Sequence, residues 1–145
     1  MGSAHLSTNT YNSTGTLAQT NFGNGGIMAN EYDDWNRLTG VKYEGDLAPR
    51  YTYAYNANGQ VAHVADAALN RVTQTEYDLA NRPCRKKTHE NGVHAYTGEV
   101  AYDPMTGNLS KFTERVGAGH VPYHTAFGYD EENRPRDCGL QRHSL

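Results

Sequence analysis

The histidines, paired acids, basic run, cysteines and clustered aromatics are the residues of this chain that could do chemistry. His120 and His124 stand four apart, a zinc-like spacing on a helix. The intervening Val121-Pro122-Tyr123 reads as extended, and at ~3.3 Å per residue the two side chains lie about 13 Å apart, too far for one ion. His89 and His94 flank a hairpin signal and can meet across it, yet no third ligand is in view. No metal site is expected. Asp33-Asp34 and Asp130-Glu131-Glu132 are paired acids, but neither fits an EF-hand or a glycine-rich calcium repeat, so both read as turn caps. Arg82, Arg85, Lys86 and Lys87 form a basic stretch on one strand. It offers either a polyanion site or, more simply, a solvated edge that resists aggregation. Cys84 and Cys138, the only cysteines, read as free thiols in preference to a disulfide. No phosphate loop, nucleophile elbow or Ser-His-Asp grouping is present, so no cofactor is implied and no enzymatic role is expected. The aromatics Trp35, Tyr43, Tyr51 and Tyr53 remain. They could stack sugar rings, or they build the packed face of a sheet.

The elements that must position these side chains emerge from an internal repeat, the feature to seek first because missing it mis-assigns a fold. A tyrosine followed by Asp or Asn, a short gap, then Gly or Asn recurs six times, from Tyr11, Tyr32, Tyr55, Tyr77, Tyr102 and Tyr129, at spacings of 21, 23, 22, 25 and 27 residues. Each copy has a mechanical reading. The tyrosine ends a strand, and the next residue (Asp33, Asp78, Asp103 and Asp130 in four copies) accepts hydrogen bonds from the amides of its own turn. Four residues after the tyrosine, Gly or Asn meets a need for left-handed backbone, as at Gly59; the Tyr102 copy has one extra residue and places Gly107 five on. An apolar residue then opens the return strand, replaced by Pro83 and Pro135 in two copies. Those prolines imply a bulged or edge-facing start.

Helical periodicity is nearly absent, and short alternating segments are bounded by Gly, Asn, Asp and Pro. The pattern predicts twelve strands in six hairpins. The cleanest strand runs from Arg50 to Asn56, where Tyr51, Tyr53 and Tyr55 share one face. Glu90-Asn91-Gly92 carries the Asn-Gly hairpin signal, and Gly98 is a candidate bulge in a long strand from His94 to Asp103.

These turns resemble the YD repeat of the Rhs/YD family, whose pattern is Tyr-Asp, a short gap, Gly, Arg or a similar residue, then Leu. Tyr32-Asp33 to Leu38, Tyr77-Asp78 to Arg82, Tyr102-Asp103 to Leu109 and Tyr129-Asp130 to Arg134 match best. The likeness runs from about Tyr11 to Pro135; Tyr11 and Tyr55 depart by carrying Asn, and three copies place Asn where Gly is usual. The resemblance implies a β-meander winding into a hollow shell, as in polymorphic toxins, toxin-complex cocoons and teneurin-like adhesion proteins. A shell needs many more repeats than six, so the chain reads as one section of it. It also implies a secreted or surface setting and an enclosed toxin or effector segment as partner. Asp137-Cys138-Gly139-Leu140 only faintly resembles the family's Asp-Pro-x-Gly-Leu motif and lacks its proline, so no self-cleavage is carried over.

The bulk numbers agree. With 145 residues, 37% hydrophobic, 15 glycines, and 11 tyrosines against 3 phenylalanines, the chain fits one all-β domain spanning residues 1–145. A net charge of −3 gives no nucleic-acid footprint. No apolar run reaches the ~18 residues of a membrane span, and the start, Met1 to Leu6, is expected to hold no secretion signal. The fold expected is therefore an antiparallel hairpin meander, a curved sheet or partial shell with no catalytic role. An open strip exposes two unpaired edges and an apolar face, so self-association, neighbouring repeats or closure into a barrel must follow. A glycan docking on an aromatic face is the second reading.

Overall fold

A computed structural model describes the backbone of residues 6–142 and the side chains of residues 6–136. Every regular element among them is a β-strand. Contacts divide the chain into two compact units, Met1–Asn70 and Arg71–Leu145. The first holds β1 (Thr8–Tyr11), β2 (Leu17–Asn21), β3 (Ile27–Tyr32), β4 (Leu38–Tyr43), β5 (Tyr51–Tyr55) and β6 (Val61–Asp66). The second holds β7 (Arg71–Tyr77), β8 (Pro83–Glu90), β9 (Val93–Tyr102), β10 (Leu109–Val116), β11 (Tyr123–Tyr129) and β12 (Pro135–Arg142). Within each unit every strand pairs antiparallel with its sequence neighbours. The architecture is the all-β hairpin meander that the alternating segments predict.

The turns explain why. In the Tyr32 copy, Asn36 N–H donates to the Asp33 carbonyl at 2.9 Å and Asp33 N–H to the Arg37 carbonyl at 3.0 Å. This is a tight turn closed by a left-handed residue and a one-residue bulge, and the register slips between Glu31 and Tyr32 accordingly. The same slip occurs at Tyr11, Tyr55, Tyr77 and Tyr129, so Pro83 and Pro135 sit at bulged starts as their missing N–H requires. Left-handed backbone falls where the repeat demands it, at φ 59° for Asn36 and 78° for Gly59. Asparagine tolerates this region through local hydrogen bonding, whereas a β-branched side chain does not. Asn36→Gly should therefore leave stability unchanged or raised, and Asn36→Val should lower it by about 1–2 kcal/mol. Equal urea midpoints for the three proteins would disprove the backbone requirement.

Asn91 and Gly92, at φ 51° and 75°, form the two-residue hairpin turn expected between β8 and β9, with Glu90 opposite Val93. Gly98 does not mark a bulge. Its register is unbroken toward both Lys86 and Glu114. A Cβ there would stand 2.6 Å from the Tyr96 hydroxyl; the glycine makes room for a tyrosine lying over its own strand. The basic run is not on an edge either, since β8 pairs with both β7 and β9.

Burial is sparse. Among the described residues Val41, 7% exposed, is the sole buried hydrophobic side chain, with Thr20 and Thr97 the buried polar ones. Large apolar side chains stand out at the turns, with Leu79, Met105 and Leu47 almost fully exposed. No helix is long and apolar enough to cross a membrane among the described residues.

Candidate functional site

The repeat turns form a lattice, and it is assembled from three kinds of side chain and one main-chain acceptor. The first is the aspartate. Asp78 Oδ1 accepts the N–H groups of Ala80 and Arg82 at 2.9 Å each, while Oδ2 accepts Arg82 Nε at 2.8 Å. Asp33 does the same with Trp35 and Arg37, and Asp130 with Glu132 and Arg134. Asp103 instead takes the N–H groups of Met105 and Thr106 and the Thr106 hydroxyl. Donors aimed at the ionised form hold all four carboxyls below the usual aspartate range. For Asp78 and Asp130 the backbone N–H of the arginine leads, and for Asp103 that of Thr106. At Asp33 desolvation pushes upward, and the Arg37 and Trp35 donors outweigh it.

A lowered folded pKa contributes stability that is present above the unfolded value and lost as pH falls through the folded one. The contribution of these four aspartates should thus be constant above about pH 5. It should weaken progressively below the unfolded aspartate value of 3.8. Circular-dichroism melts between neutral and acid pH test this, and Asp78→Asn should flatten the acid limb. An unchanged acid limb in that variant would remove Asp78 from the account.

The second kind is the residue after the left-handed position. Where the turn begins with Asp33, Asp78 or Asp130, this residue is Arg37, Arg82 or Arg134, and an ion pair forms. Where it begins with Asn12 or Asn56, the partner is neutral, and the amide nitrogen donates to Thr16 Oγ1 at 2.9 Å or Gln60 Oε1 at 3.1 Å. The apparent departures at Tyr11 and Tyr55 are thus matched pairs of another charge type.

The third kind is the next repeat's tyrosine, which the previous arginine covers. The Arg37 guanidinium lies 4.5 Å from the Tyr55 ring centroid, and that of Arg82 lies 3.9 Å from Tyr102. Three of the repeat tyrosines reach back to the previous repeat. Tyr32 Oη donates to the Leu17 carbonyl at 2.9 Å, Tyr55 Oη to Leu38 at 2.7 Å and Tyr102 Oη to Pro83 at 3.1 Å. The fourth element is the acceptor itself, the carbonyl of the first residue of the previous return strand. The aspartate and asparagine joins close each turn on itself, whereas the arginine–tyrosine and tyrosine–carbonyl joins run from one repeat to the next.

The aromatic candidates do not form a single cluster. Tyr51, Tyr53 and Tyr55 alternate with exposed Thr52 and Ala54 along β5. Tyr43 meets Tyr51 edge-on at 6.4 Å, and Arg50 lies over both rings. Burial and these neighbouring phenols push the Tyr53 hydroxyl up. Trp35 lies elsewhere, on a turn, with Arg37 between it and Tyr55. Tyr11 is 63% exposed at the end of β1, and Tyr77 and Tyr129 end β7 and β11 opposite Pro83 and Pro135.

The basic run is largely matched by acids. Arg85 joins Glu76 and Glu99, each at 2.8 Å, Lys87 reaches Glu76, and Arg82 holds Asp78. Exposed pairs of this kind contribute about 0–1 kcal/mol each; they set register more than stability. His89 and His94 do face each other across the hairpin, with ring centroids 5.7 Å apart, and His94 Nε2 contacts Thr97 Oγ1. No group of three metal-ligating side chains occurs among the described residues. Cys84 is a free thiol; the side chains of Cys138 and of the Asp137 to Leu140 motif lie outside the described residues.

No family model matches the chain, and no curated protein matches it in sequence. Solved structures do. The crystal structure of TcdB2-TccC3 superposes with a TM-score of 0.77 at 20% identity, over 89% of this chain and 7% of that one. The complex with Cdc42, TcdB2-TccC3-Cdc42, gives 0.76 at 20% identity, with the same coverage. The Photorhabdus luminescens Tc holotoxin pore bearing TccC3-D651A gives 0.65 at 14% identity, over 94% of this chain and 9% of that one. The chain therefore spans less than a tenth of the length of the chains it matches, and what it shares with these toxin-complex proteins is a fold.

Proposed function

We propose that residues 1–145 form one continuous, non-catalytic wall section of an Rhs/YD-type β-shell. In this reading the parent is a secreted or surface protein, and its shell encloses or displays a toxin or effector segment. One observation carries it: joins pass between adjacent repeats, Arg37 and Arg82 onto the next tyrosine, and Tyr32, Tyr55 and Tyr102 onto the carbonyl that opens the previous return strand. A device of that kind propagates, and its ends call for further repeats. The fold shared with TcdB2-TccC3 supports the reading. So does the scarcity of buried side chains, because a section whose faces lack cover needs neighbours.

Light scattering on a size-exclusion column over a dilution series tests it. The isolated chain should self-associate as concentration rises, and appending two flanking repeats of the parent at each end should shift the association to lower affinity per repeat. A strict monomer at every concentration would mean the chain satisfies its own edges and would overturn the section reading.

A further inference from the structure

The turn after Tyr102 is the one aspartate turn of the repeat without an arginine. Its main chain follows the common pattern, with Asp103 N–H donating to the Asn108 carbonyl at 2.7 Å as Asp33 N–H does to Arg37 and Asp78 N–H to Arg82. Asn108 therefore stands in the arginine's place, and two groups lose their partner. Asp103 Oδ1 still accepts from Met105 and Thr106. Its Oδ2, however, has no donor among the described residues, whereas in the Asp33, Asp78 and Asp130 turns that atom takes an arginine Nε. The next repeat's Tyr129 carries no guanidinium on its ring, in contrast to Tyr55 and Tyr102. Its hydroxyl makes no hydrogen bond among the described residues, where those of Tyr32, Tyr55 and Tyr102 reach back. Asn108 spans to the next turn, its Nδ2 donating to Asn133 Oδ1 at 3.1 Å, but it brings no charge. An open pocket of about 290 Å³ remains, lined by Asp103, Asn108, Ser110, Phe127 and Tyr129 among others.

We propose that this pocket receives an arginine side chain from a partner polypeptide, a role that goes beyond the wall-section reading and does not depend on it. The chain itself displays, twice, what a guanidinium does in this setting. Arg82 places Nε and Nη2 on Asp78 Oδ2 at 2.8 Å each and lies 3.9 Å from the Tyr102 ring centroid. Arg37 does the same with Asp33 and Tyr55. An incoming guanidinium finds the same carboxylate oxygen and the same kind of ring beside one pocket. The charge agrees, because Asp103 stands unpaired and Asp130 and Glu132 share Arg134 between them. A planar, weakly hydrated guanidinium suits a carboxylate beside an aromatic face better than the compact ammonium of lysine. A calcium ion is poorly served, since Asp103 Oδ1 already takes three donors and Asp130 is held by Arg134. Strands β9, β10 and β11 are paired with one another here, so no strand is added and recognition rests on the side chain.

Amide chemical shifts of the isotope-labelled chain, followed on titration with the blocked tripeptide acetyl-Gly-Arg-Gly-amide, test the assignment. Saturable shifts should centre on Thr106, Gly107 and Asn108. The lysine counterpart should bind more weakly, and the citrulline counterpart, which keeps the shape but drops the charge, should not bind. Asp103→Asn retains an acceptor for the turn amides and should weaken arginine binding about tenfold, the effect of one charge-assisted hydrogen bond. Asn108→Arg supplies the missing side chain from within the chain. It should abolish peptide binding and raise the melting temperature, so that loss of binding in this variant is not loss of folding. Absence of any response to the arginine peptide, equal binding of the citrulline peptide, or binding that survives Asn108→Arg would overturn the proposal. So would calcium shifting the same amides and excluding the peptide.

Discussion

Tyr55→Ala should lose about 2–4 kcal/mol of folding stability, the largest effect of any single truncation in the first unit. Three contributions meet in this side chain. Its ring is half-buried on the β5 face beside Tyr53. Its hydroxyl satisfies the Leu38 carbonyl of the previous repeat at 2.7 Å, and its face carries the Arg37 guanidinium. Tyr55→Phe isolates the second contribution and should cost about 1 kcal/mol. A double-mutant cycle with Arg37→Ala isolates the third and should return a coupling of about 0.5–1 kcal/mol. Urea unfolding of the five proteins (parent, Tyr55→Ala, Tyr55→Phe, Arg37→Ala and the double variant) provides the numbers. A loss below about 1 kcal/mol for Tyr55→Ala would mean that the join between repeats is ornamental and that the strand pairing alone holds the sheet.

Gly40→Val should destabilise by about 2–3 kcal/mol, against the ordinary preference of strands for valine over glycine. Gly40 lies buried in β4 opposite Glu31 and Thr52. A Cβ there would stand 2.8 Å from Glu31 Oε2 and 3.1 and 3.2 Å from Pro49 Cγ and Cβ. The glutamate end can swing away, but the proline ring is rigid and covers the strand from the loop before β5. Removing the ring should therefore restore much of the loss, and Gly40→Val with Pro49→Ala is expected to be more stable than Gly40→Val alone. If Gly40→Val matched the parent in a thermal melt, Pro49 would have to move freely, and the packing argument would fall.

The strands and turns were legible because their causes are local. A tyrosine, an Asx residue and a left-handed position four residues on fix hairpin geometry without reference to anything distant, which is why the strand ends agree to within a residue or two at Tyr32, Tyr55 and Tyr102. The role of the arginines was not legible. Arg37 and Arg82 matter through the ring of the following repeat, a contact that no single copy of the pattern contains. A signal was nonetheless present in the chain. Asp is accompanied by Arg at Asp33, Asp78 and Asp130, and Asn by a neutral partner at Asn12 and Asn56, a correlation that points to contact. Gly98 misled because a glycine inside a strand signals close approach as readily as a bulge; here it is Tyr96 that approaches. The basic run misled because charge implies solvent but not an edge, and cross-strand Glu76 and Glu99 allow Arg85 to sit on an interior strand.

The order in which strands pair has a kinetic meaning. Within each unit every ladder joins a strand to its immediate successor or predecessor, so no pairing must wait for a distant segment. Loop closure is cheap at such separations, and low contact order places a protein on the fast side of the range for β folds. Each hairpin can close while the remainder of the chain is still being synthesised or threaded through a channel, and each closed hairpin is the template on which the next one adds.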